Sequence, residues 1–82
     1  MNYNNFKSQC ETFLPNQGCT DVNVDNFLSL KCLTYRCTFN YKGSLYTIHC
    51  NSFGQWSLSR GDTQIASVGH LYIDVLWERS GL

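Results

Sequence analysis

Residues 33–51 read Leu-Thr-Tyr-Arg-Cys-Thr-Phe-Asn-Tyr-Lys-Gly-Ser-Leu-Tyr-Thr-Ile-His-Cys-Asn, and two alternations meet in this stretch. Leu33, Tyr35, Cys37, Phe39 and Tyr41 alternate with Thr34, Arg36, Thr38 and Asn40. Successive side chains of a strand point to opposite faces, so a period of two marks a half-buried strand. Lys42-Gly43 supplies a two-residue hairpin turn, and register then follows by counting. Tyr41 pairs with Ser44, Phe39 with Tyr46, Cys37 with Ile48 and Tyr35 with Cys50. The apolar sides of both strands coincide. The other side becomes Thr34, Arg36, Thr38 and Asn40 against Leu45, Thr47, His49 and Asn51, a mostly polar surface suited to water.

Towards the C-terminus, residues 51–54 read as a turn, and Trp56 and Leu58 alternate with serines in a third strand. A tight turn at Gly61-Asp62 predicts a fourth strand in which Ile65 faces Leu58 and Ser67 faces Trp56. Val68-Gly69-His70 breaks the pattern. Leu71, Ile73, Val75 and Trp77 then alternate with Tyr72, Asp74, Leu76 and Glu78, and their β-branched and aromatic content favours a fifth strand. A helix ending at Gly81 is the competing reading of residues 71–78.

Towards the N-terminus, Tyr3, Phe6, Cys10, Phe13 and Leu14 have helical spacing, with Asn2 as N-cap and Pro15 as stop, so a helix is predicted over residues 3–14. Residues 16–26 are rich in Asn, Gln, Gly and Asp and read as a loop. Phe27, Leu28 and Leu30 fit either a short helix or a strand. The expected fold is α+β, an N-terminal helix packed on one face of a four- to five-stranded antiparallel β-meander, with residues 1–82 forming a single small interaction domain. A twelve-residue helix is about 18 Å long and about 10 Å across, whereas five strands span roughly 24 Å. One helix leaves apolar sheet to be covered by residues 16–32, by curling, by a second copy or by a partner.

The 82 residues carry six basic and six acidic side chains, so the net charge is zero, which argues against the basic stripe of a nucleic-acid binder. Apolar residues make up 43% and aromatics 15%, enough to build a core. The first twenty residues lack a secretory signal and no long apolar run occurs, so a soluble, cytoplasmic protein with reduced thiols is expected, without membrane contact.

Cys32, Cys37, His49 and Cys50 are zinc-ligand types, but no Cys-x-x-Cys exists, and neighbours His49 and Cys50 of one strand point to opposite faces. Buried apolar thiols are the better reading, so neither a metal nor any other cofactor is expected. Asp21-x-Asn23-x-Asp25 opens like a calcium loop, yet Asn26 stands where its Gly belongs and Cys32 where its Glu belongs. Arg60-Gly61-Asp62 is a turn sequence. His70 and Asp74 are spaced for a hydrogen-bonded surface pair. Nucleophile elbows, His-Glu-x-x-His and phosphate-cradling glycine loops are absent, so no enzyme is expected.

Together these observations point to a non-enzymatic protein-binding domain, a stoichiometric inhibitor or adaptor of a larger complex, such as a phage- or mobile-element-encoded antagonist of a host assembly. Its partner is another protein or a second copy of itself, as in a dimer. The expected contact residues are Arg36, Thr38, Thr47 and His49 on the polar sheet face, with Tyr72 and Trp77 as uncovered aromatics. The last strand, if an open edge, offers a route to self-association. The alternative is a metal- or redox-responsive module centred on Cys32, Cys37 and Cys50.

Overall fold

A computed structural model describes residues 2–29, 32–69 and 72–82. Helix α1 (Tyr3–Asn16) leads into five strands, β1 (Thr20–Ser29), β2 (Cys32–Tyr41), β3 (Ser44–Asn51), β4 (Gln55–Arg60) and β5 (Thr63–Gly69), and helix α2 (Ile73–Ser80) follows. The strands form one antiparallel sheet in the order β1-β2-β3-β4-β5. The α+β meander with its N-terminal helix is therefore present, with a second helix in addition.

The β2–β3 hairpin has the register that counting gives, from Tyr41 opposite Ser44 to Tyr35 opposite Cys50. Lys42 and Gly43 have φ of 50° and 81°, the doubly left-handed turn whose twist matches that of paired strands. Tyr35, Cys37 and Phe39 with Tyr46, Ile48 and Cys50 are all buried on one side. Helix α1 packs its i, i+4, i+8 stripe of Phe6, Cys10 and Leu14 there, each fully buried, with Phe6 lying 5.6 Å from the Tyr35 ring and 5.2 Å from Trp56. The side chain of Asn2 caps the helix by accepting from Asn5 N at 2.8 Å. The helix runs through Pro15 to Asn16, because a proline in the last turn forfeits one hydrogen bond without ending the helix there.

Three expectations need correction. Residues 20–26, read as loop, belong with the undecided 27–29 to edge strand β1, which pairs Asn23 with Thr38, Asp25 with Arg36 and Phe27 with Thr34. An edge strand needs backbone pairing on one side only and tolerates polar side chains, so it shows little apolar signal. The β4–β5 hairpin starts as predicted, with Arg60 opposite Thr63, but then shifts register: Leu58 faces Ala66 and Trp56 faces Val68. A bulge at Ile65 accounts for the shift. Without it Ser67 would enter the core opposite Trp56 and Val68 would leave it, and the extra residue reverses both outcomes.

The third correction is that residues 73–80 form a helix rather than a fifth strand. Ile73 and Leu76 are buried, a spacing of three that only the helix places on one face. Gly81 ends it at φ 76°, its N–H donating to the Glu78 carbonyl, a left-handed stop that suits glycine. Gln9 Oε1 of α1 accepts from Ile73 N at 2.9 Å, satisfying one of the N–H groups left free at the start of α2. The helices divide the cover, α1 lying against β1 and β2 and α2 against β4 and β5. Apolar sheet that a single helix would leave bare is thus closed within the chain, and self-association through a last edge strand at 71–78 loses its basis. Leu30, His70 and Leu71 lie outside the described residues, and with them the undecided end of the 27–30 segment and the expected His70–Asp74 pair.

Leu76 separates helix from strand, since strand alternation would turn it away from Ile73. Leu76→Ala is expected to lower unfolding free energy by about 2–5 kcal/mol, and Tyr72→Ala, at 66% exposure, by no more than about 0.5 kcal/mol. Urea titration of both variants checks this, and equal losses would contradict the packing described.

Candidate functional site

The side of the sheet away from the helices is built in rows, because antiparallel partners share a face. One row crosses all five strands as Asp25, Arg36, His49, Ser57 and Ser67. The row beside it holds Asn23, Thr38, Thr47, Ser59 and Gln64. None of these residues is buried, so the face is open to solvent.

Arg36 is the most constrained side chain on it. Its Nε donates to Asp25 Oδ1 at 3.0 Å and its Nη2 to Oδ2 at 2.6 Å, a two-pronged pairing of planar guanidinium and carboxylate. The guanidinium carbon also lies 5.1 Å from the centre of the Phe27 ring, within cation–π range. The His49 ring meets Phe27 edge-on at 6.2 Å and 83°. Phe27, Arg36 and His49 therefore form an aromatic and cationic cluster anchored by Asp25.

The hydrogen bonds from Arg36 hold the Asp25 carboxyl below its ordinary 3.8, and Asp25 in turn raises Arg36. Partial burial lowers His49 from 6.5, the Arg36 charge lowers it further, and Asp25 opposes both. His49 is therefore neutral near pH 7. It stands between two shallow concavities: one of about 360 Å³ over Asn23, Asp25, Arg36, Thr38 and Thr47, the other of about 710 Å³ over Thr34, Asn51, Gln55, Ser57 and Ser67. Asn51 is committed to the β3–β4 turn, its Oδ1 accepting from the backbone N–H of Phe53 and Gln55.

Arg36, Thr38, Thr47 and His49 thus converge on one patch. Tyr72 and Trp77 do not join it, being on the helix side. Tyr72 is exposed beside a concavity of about 440 Å³ between α1 and α2 that Gln9, Thr12 and Phe13 also line. Trp77 is not uncovered but half-buried, 5.0 Å from the Tyr41 ring and in contact range of Phe13 and Phe39. Asn23, Asp25 and Phe27 belong to the patch; the first two escape a reading of 16–26 as loop, and Phe27 an undecided reading as helix or strand. The period-two signal that would have found them is weak: Val22, Val24 and Leu28, with Asn26 interrupting. A further apolar margin lies at one end of the sheet, where Leu28 and Leu33 pair across strands and, with Phe53 in the β3–β4 turn, remain exposed.

The thiols are distributed differently. Cys37 and Cys50 lie on the helix side, whereas His49 faces the other way and Cys32 is half-exposed at the start of β2. Among the described residues no three His, Cys, Asp or Glu side chains come together as a metal site requires. The neighbouring Cys37 thiol and then burial raise the pKa of Cys10 on α1 far above the ordinary thiol value. Burial pushes Cys19 up to about 11 and Cys50 to about 12. A protonated, enclosed thiol is a poor nucleophile. Asp21 takes part in the sheet, its Oδ2 accepting from Asn40 Nδ2 at 2.9 Å. No helix among the described residues is long and apolar enough to cross a membrane.

Comparison with protein-family models, with curated proteins and with solved structures gave no match.

Two predictions follow from these environments. At pH 8 a thiol reagent should label Cys32 alone in the native protein and all five cysteines after unfolding, as read by intact mass. Rapid native labelling of Cys10, Cys37 or Cys50 would contradict their burial. For acid stability, the depressed His49 contribution is complete above 6.5 and is lost as pH falls through its lower folded value, where the unfolded chain binds the extra proton. The Asp25 contribution is complete above 3.8 and is lost below that, again through a lowered folded value. His49→Gln should flatten the first loss and Asp25→Asn the second in melting temperature against pH.

Proposed function

We propose that this chain is a non-enzymatic protein-binding domain that docks another protein on the open face of its sheet, as a stoichiometric inhibitor or adaptor of a larger complex. The observation that carries this reading is the Phe27–Arg36–His49 cluster, an aromatic and cationic group on a broad face that none of the chain's described elements covers. Arginine and aromatic side chains dominate the binding energy of protein interfaces, and a polar surround is the usual composition of interfaces that form and separate. The charges also favour a protein partner over nucleic acid. Arg36 is matched by Asp25, and the chain has no net charge, so the face offers hydrogen bonds and a stacking platform without a basic field. With α2 covering the helix side, support for an interaction role comes from the open face.

Arg36→Glu with His49→Glu tests the reading. The double variant should stay folded, its melting temperature lowered only by the several degrees that adjoining carboxylates in one row cost. It should lose, by at least about tenfold in affinity, every protein that the wild type retains in a stoichiometric complex. Unchanged affinity in the folded double variant would overturn the choice of face. A concentration-dependent dimer abolished by the same substitutions would make the partner a second copy of the chain.

A further inference from the structure

We propose that Asp25, Arg36 and His49, adjacent in one row of the open face, form a proton-operated switch that releases Arg36 for an acidic group on the docked protein. The inference deepens the docking reading and rests on it for its consequence, but the switch itself is a property of the isolated chain.

Three features of the geometry support it. Arg36 lies between Asp25 on β1 and His49 on β3 in directly paired positions, so both neighbours act on a single guanidinium. Side chains paired in this way have Cβ atoms about 5 Å apart, close enough for charges to interact strongly at a partly covered surface. His49 also borders both concavities, so its charge faces the groups that line each of them.

The charged groups around His49 can be stated element by element. From β1 comes Asp25, and from β2 comes Arg36. From β4 comes Ser57, which carries no charge. Thr47 and Asn51 on β3 itself are neutral, and from α2 Arg79 borders the larger concavity. With His49 neutral, the row Asp25–Arg36–His49 sums to zero charge and the carboxylate holds Arg36 by two hydrogen bonds. Proton uptake at Nδ1 or Nε2 of His49 makes the row net positive. The imidazolium repels the guanidinium and competes for the same carboxylate, so the two-pronged bond opens. Arg36 then presents its donors to solvent, or to a partner's carboxylate. Burial and Arg36 both resist this proton, so the switch operates on the acid side of 6.5 rather than at neutrality.

Solution NMR on the protein alone tests the switch, following the Arg36 Nε–H resonance and the ring C–H signals of His49 from pH 8 to pH 4.5. His70→Gln serves to assign the second histidine. The Arg36 resonance should move towards that of free arginine with the same midpoint as the His49 ring, below 6.5, and His49→Gln should abolish the movement. Asp25→Asn should shift the His49 midpoint down, and Arg36→Gln should shift it up. An Arg36 signal that moves only in the carboxylate range, or that moves unchanged in His49→Gln, would overturn the switch. A His49 midpoint indifferent to both neighbours would do the same. Because no partner is present, this failure is distinct from unchanged docking by Arg36→Glu/His49→Glu.

Discussion

Across the Lys42-Gly43 turn, Tyr35, Cys37 and Phe39 share one side of the sheet with Tyr46, Ile48 and Cys50, and none of the six is more than 6% exposed. That apolar side must be kept from water, and the position of nearly everything else answers to it. Helix α1 covers the β1–β2 half and α2 the β4–β5 half, and the hydrogen bond from Ile73 N to Gln9 joins the two covers. The bulge at Ile65 serves the same need by returning Val68 to the core opposite Trp56. Among the described residues, the indole N–H of Trp56 is buried there without an acceptor, a polar group carried into the core by a large apolar ring.

Both helices lie on one side, which leaves the other side free. Pairing β1 onto β2 does more than widen the sheet, because it brings Asp25 opposite Arg36 and Phe27 diagonal to it. The pair with Asp25 contributes little to stability at this exposure. Its effect is on order: a long side chain that would otherwise sample many rotamers is held over an aromatic ring. Near neutral pH the open face therefore carries an ordered central group whose guanidinium is already engaged by Asp25.

The physics that made parts of the chain legible also explains what was missed. The β2–β3 register could be read because two amphipathic strands flank a turn of fixed length, and a slip by one residue would invert both faces. Helix α1 could be read because Tyr3, Phe6, Cys10, Phe13 and Leu14 together fit a helical spacing and not a period of two. Residues 71–78 had two: Ile73, Val75 and Trp77 satisfy a period of two, while Ile73, Leu76 and Trp77 satisfy a helical one, and packing on β5 decided between them. The β5 bulge is invisible locally, since it depends on which of Ser67 and Val68 the core accepts. For the candidate site, Arg36, Thr38, Thr47 and His49 came directly from the hairpin register. Asn23, Asp25 and Phe27 could not, because the pattern of β1 is set by its partner strand rather than by its own hydrophobicity.

The bulge in β5 has a counterpart in β1, where the register shifts between Thr20 and Asn23 and Asp21 adopts φ 53°. These are the two edge strands, the places where an open sheet could recruit further strands and grow without limit. A local break in the ladder, with Asp21 and Asp25 along one of the edges, spoils the template that an incoming extended chain would copy. Irregular edges are poorer templates for strand addition, so backbone pairing, which accepts almost any sequence, is disfavoured at both of them.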